Sequence, residues 1–261
     1  SLDQSVFNGA RVVGPLIGGF LLGAAGPGAA YGVIAGLFGL AFLIYTTFRP
    51  VSQVVRTKSK GVIPDLIEVV KVIRERPLLR VNLMFTAINA LVLGGMVFII
   101  PAFAKDIFEI GENGLGVMFA GVGIGAVAGA MTMSWTGGVR MAGPALLVTD
   151  LLFGIFVIFW AHTSSLIVAL PFAFLLGYFN SVHVALGIAV IQFNVPAEVR
   201  GRVIGAYEIA WSGFPLGGLA SGSLAAIVGL RSALTILALG LIIFTIVVAS
   251  VSSRFRQSRI E

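Results

Sequence analysis

The chain has 261 residues, of which 58% are hydrophobic and only 11% are charged, whereas a soluble domain carries about 25% charged residues. The formal net charge of +6 comes from cations spread between apolar segments, which argues against a nucleic-acid-binding protein, because such proteins collect their cations on one face. The absence of cysteine excludes disulfides, thiolate metal sites and cysteine nucleophiles, and we expect neither a cofactor nor a metal.

Eight apolar segments are long enough to cross a bilayer, which takes about 20 residues of helix. In chain order they cover residues 7–25, 29–48, 78–103, 114–135, 142–161, 166–193, 203–228 and 232–251. We therefore predict an all-α membrane protein with eight transmembrane helices, whose first partner is the lipid bilayer.

Cationic residues gather in every second connection between these segments. Residues 49–80 hold eight Lys and Arg, whereas the next connection, residues 105–112, sets Lys105 against three acidic residues. Because cytoplasmic loops carry the excess of Lys and Arg in membrane proteins, the basic side is predicted to be cytoplasmic. An even number of spans then places both termini there, and we expect a multi-pass protein of the bacterial cytoplasmic (inner) membrane.

Residues 50–77 form the longest connection and have a pattern of their own. Pro64 and Asp65 suit the start of a helix, and Pro77 ends it. Apolar residues recur between them at helical spacing: Leu66, Val69, Val70 and Ile73. This pattern predicts a cytoplasmic amphipathic helix lying on the membrane surface.

Two glycine patterns predict close contact between helices. They comprise Gly14, Pro15, Gly18 and Gly19 in the first predicted span, and Gly121, Gly125 and Gly129 in the fourth. Glycines four residues apart share one helix face and let another backbone approach closely, while a proline inside a helix can bend it. We predict that the first span packs on the glycine face of the fourth. The alternative is ordinary helix packing, and Arg11 can reach the cytoplasmic surface by extending its side chain.

Three stretches together resemble one transporter family. Residues 8–19, Asn-Gly-Ala-Arg-Val-Val-Gly-Pro-Leu-Ile-Gly-Gly, resemble the fifth-helix motif of major facilitator superfamily exporters. Residues 195–203, with Arg200 and Arg202, are similar to the loop before helix eleven in the enterobactin-exporter-like branch, and residues 101–116 are similar to that branch around helices seven and eight. One loop departs from the family, because residues 135–140 lack the Asp of its usual signature.

This resemblance covers the whole chain in order and implies helices five to twelve of a twelve-helix transporter, a partial major facilitator fold. Residues 1–49 would be the last two helices of the N-terminal bundle, residues 50–77 a cytoplasmic linker, and residues 78–261 the six-helix C-terminal bundle. Four further N-terminal helices would then be a missing partner. The glycine motifs, with Arg11, Arg200 and Arg202, would form the parts that move in alternating access.

The resemblance also implies a function: proton-coupled export of a small amphiphilic molecule of the drug or siderophore class. An uptake carrier would use the same fold. The other alternative is a truncated remnant, or a membrane scaffold or binding subunit that needs a separate N-terminal partner. An enzyme is not expected, because the chain contains no HExxH, GxSxG or P-loop motif.

Acidic residues inside predicted spans are functional candidates, because a charge in hydrocarbon is costly. Glu208 lies about two turns into the seventh span, beside Tyr207 and Trp211, and is predicted to couple protons or to bind a cationic group. Its alternative is a structural ion pair with Arg202. Asp150 in the fifth span is a second candidate for proton coupling, with a hydrogen bond to a neighbouring helix as the alternative.

Two further polar pairs are predicted to contact substrate. Asn82 and Asn89 are seven residues apart, and Asn180 and His183 are three apart, so each pair shares one helix face. The resemblance places these pairs on the cavity-lining helices seven and ten, where they would bind the small-molecule substrate together with Tyr207 and Trp211. The alternatives are interhelical hydrogen bonds for the Asn residues and a structural role for the His.

Overall fold

The computed structural model describes residues 28–29, 31–47, 61–135 and 142–251. Every regular element among these residues is an α-helix, which confirms the predicted all-α class. The helices are α1 (Tyr31–Thr47), α2 (Val62–Glu75), α3 (Pro77–Asp106), α4 (Gly111–Trp135), α5 (Ala142–Ala161), α6 (Leu166–Asn194), α7 (Ala197–Ala210), α8 (Gly213–Val228) and α9 (Leu230–Val251).

Six stretches of the described chain are long and apolar enough to cross a membrane. They are Pro77–Asp106, Gly114–Trp135, Ala142–Ala161, Leu166–Asn194, Val199–Val228 and Leu230–Val251. These match the last six predicted spans, and α1 matches the second predicted span. The first predicted span, residues 7–25, lies outside the described residues.

The predicted span 203–228 is interrupted, since α7 ends at Ala210 and α8 begins at Gly213. Pro215 has no N–H to give to the Trp211 carbonyl one turn earlier. The amide of Phe214 donates to that carbonyl instead, at 3.0 Å, in the tighter geometry of a 3₁₀ turn. A proline therefore divides this span into two helical segments.

The core of the bundle lies between α3, α5, α6 and α9 and is rich in aromatic side chains. The rings of Phe103 and Trp160 lie 4.7 Å apart, and Phe85 meets Phe244 edge-on at 4.9 Å. Aromatic contacts of this kind add roughly 0.5–1.5 kcal/mol beyond the area that they bury. This core holds α3, α5 and α6 in fixed positions around the polar side chains described below.

Glycines allow α4 and α6 to touch along their backbones. A Cβ atom at Gly125 would collide with the carbonyl oxygen of Phe174, and one at Gly177 would collide with that of Val122. The prediction that this glycine face of α4 receives the first span is wrong, because α6 already occupies it. The reason is that α6 brings its own glycine, Gly177, to the same contact.

A second close contact joins α3 to α8. A Cβ atom at Gly94 would collide with the carbonyl of Phe214, and one at Gly217 would collide with that of Leu91. The two glycine contacts thus fix α4 to α6 and α3 to α8. Such backbone approach is how helices associate where lipid removes the hydrophobic driving force.

The predicted amphipathic helix is present as α2, and part of its apolar face packs on protein. Val69 is 6% exposed and lies in one apolar cluster with residues of α3, α6 and α7. Glu68 accepts a hydrogen bond from Arg202 on α7, with 2.8 Å between Oε2 and Nη1. Ile67 and Val70 remain exposed, so α2 presents apolar side chains outward as well.

Candidate functional site

Polar side chains from three helices meet inside the bundle. We call this set the polar network: Asn82, Thr86 and Asn89 on α3, Asp150 on α5, and Asn180 and His183 on α6. Each is at most 1% exposed. The three α3 residues share one face because they are spaced four and three apart, so one helix lines the network with three polar groups.

Asp150 is held from two sides. The Nδ2 group of Asn89 donates to Asp150 Oδ1 at 2.8 Å, and His183 Nδ1 lies 3.0 Å from Oδ1 and 3.1 Å from Oδ2. Asn180 Nδ2 in turn donates to Asn89 Oδ1 at 3.1 Å. A buried carboxylate is tolerated only when it is paired and hydrogen-bonded, and these contacts supply both conditions.

The other ring nitrogen of His183 faces α3. Its Nε2 atom lies 3.4 Å from the hydroxyl oxygen of Thr86, and that hydroxyl donates to the backbone carbonyl of Asn82 at 2.9 Å. Asn82 Nδ2 donates to the carbonyl of Gly187 at 3.1 Å. The imidazole of His183 therefore links Asp150 on α5 to the polar face of α3.

The network is incompletely satisfied. Asn82 Oδ1 and Asn180 Oδ1 are buried and have no hydrogen-bonding partner among the described residues, and the buried hydroxyl of Tyr207 on α7 lies near the side chains of Thr86 and Trp211. A methyl group at Gly187 would lie 3.0 Å from Tyr207 Oη and 3.3 Å from Asn82 Oδ1, so glycine leaves room for the phenol here. Since buried polar groups are usually paired, these atoms make the network a candidate site for polar chemistry.

The remaining candidates lie outside the network. Glu208 is exposed on α7, and Trp211 is half-buried where α7 ends. Arg202 forms an ion pair with Glu68. Arg200 donates from Nε and Nη2 to the carbonyl of Val195, at 3.3 and 3.2 Å, and so satisfies the C-terminal end of α6.

Some predicted site residues lie outside the described residues, and others make contacts different from the predicted ones. Arg11, Gly14, Pro15, Gly18 and Gly19 lie outside the described residues. Gly121, Gly125 and Gly129 all face α6, where the nearest neighbours are the α6 residues Leu170, Phe174 and Tyr178. Their contact is thus within the bundle.

Sequence reasoning missed Thr86 and the link between Asp150 and His183. Thr86 stands between Asn82 and Asn89 on the same face of α3, and this spacing is a signal that could have found it. The pairing of α5 with α6 leaves no trace in the periodicity of either helix. No group of three or more His, Cys, Asp or Glu that could hold a metal ion occurs in residues 28–29, 31–47, 61–135 and 142–251.

Comparison with known proteins identifies the family. The sequence profile of the Major Facilitator Superfamily matches residues 1–214, and the chain belongs to this superfamily, a family of membrane transporters. The multidrug efflux pump Tap of Mycolicibacterium fortuitum is 25% identical over 256 residues, which cover 95% of this chain and 61% of the relative. The chain thus spans about three fifths of the length of that protein. The predicted superfamily is confirmed, and so is a multi-pass membrane protein.

Proposed function

We propose that this member of the superfamily is a secondary exporter that uses a proton gradient to move a small amphiphilic molecule of the drug or siderophore class. The observation that carries the proposal is the superfamily match over residues 1–214 together with six described membrane-spanning stretches. The name of the relative, a multidrug efflux pump aligned with 95% of this chain, supports export. The resemblance of residues 101–116 and 195–203 supports the enterobactin-exporter-like branch.

The transport cycle requires a second helix bundle. In alternating access, two bundles rock about a site near the middle of the membrane. Residues 1–49 are the last two helices of the N-terminal bundle in this proposal, residues 50–77 the linker and residues 78–261 the C-terminal bundle, with four more helices completing the cavity. Large apolar side chains are exposed along α1, including Tyr31, Phe38 and Tyr45 at 72%, 74% and 77%, and such a surface requires lipid or further helices.

The alternative is a remnant or scaffold that needs a separate N-terminal partner. A dye-transport assay on the protein at its native length distinguishes this alternative from a transporter. A scaffold would move no dye until a four-helix partner was added.

The orientation is tested by cysteine labelling, since the chain has no native cysteine. We propose that α2 is cytoplasmic and that the loop between α5 and α6 is external, in the inner membrane of a bacterium. A membrane-impermeant thiol reagent applied to intact cells should label Ser164→Cys and leave Lys71→Cys unlabelled. Both positions are exposed, so permeabilised cells should label the two variants equally. Labelling of Lys71→Cys in intact cells contradicts this orientation.

Glu208 is the proposed contact for a cationic group on the substrate. Its side chain is exposed, so a cationic group of a substrate can reach its carboxylate, and this favours cation binding over proton coupling. The indole of Trp211, three residues further along the chain, can add a cation–π contact.

Substrate contact by Asn82, Asn89, Asn180 and His183 stays a prediction, because their burial requires the helices to separate before an organic molecule can touch them.

The test uses ethidium as the probe in everted membrane vesicles that carry the protein at its native length. We expect accumulation of ethidium that a protonophore abolishes. Glu208→Gln should raise the ethidium concentration for half-maximal rate by about fivefold, because losing one charge contact costs about 1 kcal/mol in water. Transport of the uncharged dye Nile red should stay unchanged.

The matched control is Glu75→Gln, which removes an exposed carboxylate from α2 and should leave both dyes unaffected. The export proposal fails if the unmodified protein shows no protonophore-sensitive movement of either dye. The role of Glu208 fails separately if its variant slows both dyes to the same degree.

A further inference from the structure

We propose that Asp150 and His183 form a proton-binding site inside the C-terminal bundle, which takes up one proton as a carboxylate–imidazolium pair. The use of that proton for transport rests on the proposed function, whereas its binding does not. The site lies inside the polar network defined above, and the geometry of that network carries the proposal.

Charge balance favours a proton on this pair. Asp150 lies eight residues after Ala142 and eleven before Ala161 in α5, so it is about 12 Å from one end of the helix and about 16 Å from the other. A carboxylate at this depth beside a neutral imidazole leaves one uncompensated negative charge in a bundle surrounded by hydrocarbon, which is costly. A proton on His183 removes that net charge without moving a helix.

Hydrogen bonding favours the same protonated form. A threonine hydroxyl has a single hydrogen, and we assign that of Thr86 to its shorter contact, the carbonyl of Asn82 at 2.9 Å. Toward His183 Nε2, at 3.4 Å, the Thr86 oxygen is therefore an acceptor. Nδ1 on the opposite side of the ring faces the carboxylate of Asp150. Both ring nitrogens thus face acceptors, and the form of histidine that donates from both is the imidazolium.

Among the described residues, no other charged group faces the Asp150–His183 pair. The groups that face it from α3 and α6 are the uncharged Asn82, Thr86, Asn89 and Asn180, and α4 presents small residues to α6. The titratable group from α7 is the phenol of Tyr207, next to Asn82. On α9 the nearest cation, Arg231, donates to Thr163 and Ser164 at the end of the bundle. The proton therefore has Asp150 and His183 as its binding partners.

The burial of Asp150 and His183 favours a proton over an organic molecule as the ligand of this site. Side chains that are at most 1% exposed are open to an organic substrate only after the helices separate, whereas a proton reaches them along hydrogen bonds. The unpaired Asn82 Oδ1 and the Tyr207 hydroxyl, which lies near Thr86, extend the polar groups of this chain of contacts to α7.

The proton is detected directly by ¹⁵N nuclear magnetic resonance of the histidine rings, with the full chain in lipid bilayers. The chain has two histidines, His162 and His183, and His162→Gln identifies the His183 signal. The His183 ring should be charged in the unmodified protein and neutral in Asp150→Asn. Asp106→Asn, at an exposed carboxylate, should leave it charged. If Asp150→Asn does not fold, Thr86→Val should lower the charged fraction by removing the acceptor opposite Nε2.

A neutral His183 ring in the unmodified protein overturns the proposal. Coupling is tested in the same everted vesicles with ethidium. Asp150→Asn and His183→Gln should lose protonophore-sensitive accumulation and keep gradient-free ethidium exchange, while His162→Gln and Asp106→Asn should keep both. Normal accumulation in both variants of the pair shows that the proton bound there does not drive transport. If the unmodified protein moves no dye, the proposed function fails, and the resonance experiment still decides whether the pair binds a proton.

Discussion

Gly125→Leu is expected to prevent the helix bundle from folding. The atom that a side chain at this position meets first is the backbone carbonyl of Phe174 on α6, and a backbone atom cannot rotate away as a side chain can. Extra methylene groups in a packed core cost roughly 1–3 kcal/mol when side chains can adjust. Because α4 and α6 must separate along their length, we expect a larger loss, with little monodisperse protein recovered after extraction in mild detergent.

Gly240→Leu is the matched control. Gly240 lies in the membrane-spanning helix α9, and a Cβ atom there would meet no other atom within 4 Å. The two substitutions add the same side chain to a helical glycine, so they differ chiefly in what that side chain meets. Gly240→Leu should keep the yield and the thermal transition of the unmodified protein. An equal yield for Gly125→Leu shows that α4 and α6 do not touch at this glycine.

The helices could be predicted from the sequence because a lipid bilayer restricts which segments can cross it. A spanning segment must be long, apolar and internally hydrogen-bonded, and the predicted 142–161 agrees with α5 at both ends. The interruption near Trp211 was harder to see, because residues 203–228 are apolar on both sides of it. Pro215 was the available signal, yet proline also occurs within α3 and α6 without ending them.

The site could be predicted only in part. Asp150 stands out in any hydropathy pattern, because a carboxylate among apolar residues is costly. Its partners could not be identified, since His183 is 33 residues away on another helix. The glycines of α4 show the same limit. Small residues predict that another helix packs closely, but the position of Gly125 in the sequence does not identify that helix as α6. Contact between helices depends on tertiary packing, which neither pattern encodes.

His183→Leu is expected to be the most destabilising change within the polar network. It leaves Asp150 buried without its charge partner, and breaking a buried ion pair from one side costs roughly 3–5 kcal/mol. Adding Asp150→Asn to His183→Leu should recover much of this loss. The asparagine has nearly the same shape, its Oδ1 can still accept from Asn89 Nδ2, and no charge remains. The measurement is thermal unfolding of the purified variants in one detergent.

The order of the three stabilities separates a charge effect from a packing effect. If His183→Leu destabilises the protein because the Asp150 carboxylate loses its charge partner, the double variant must unfold at a higher temperature than His183→Leu alone. Asp106→Asn, added to His183→Leu as the control, removes an exposed carboxylate and should rescue nothing. If Asp150→Asn fails to rescue, the cost of losing His183 is a cavity rather than a charge. A rescued double variant that no longer moves ethidium with the proton gradient would show that the buried pair is kept for the proton and not for stability.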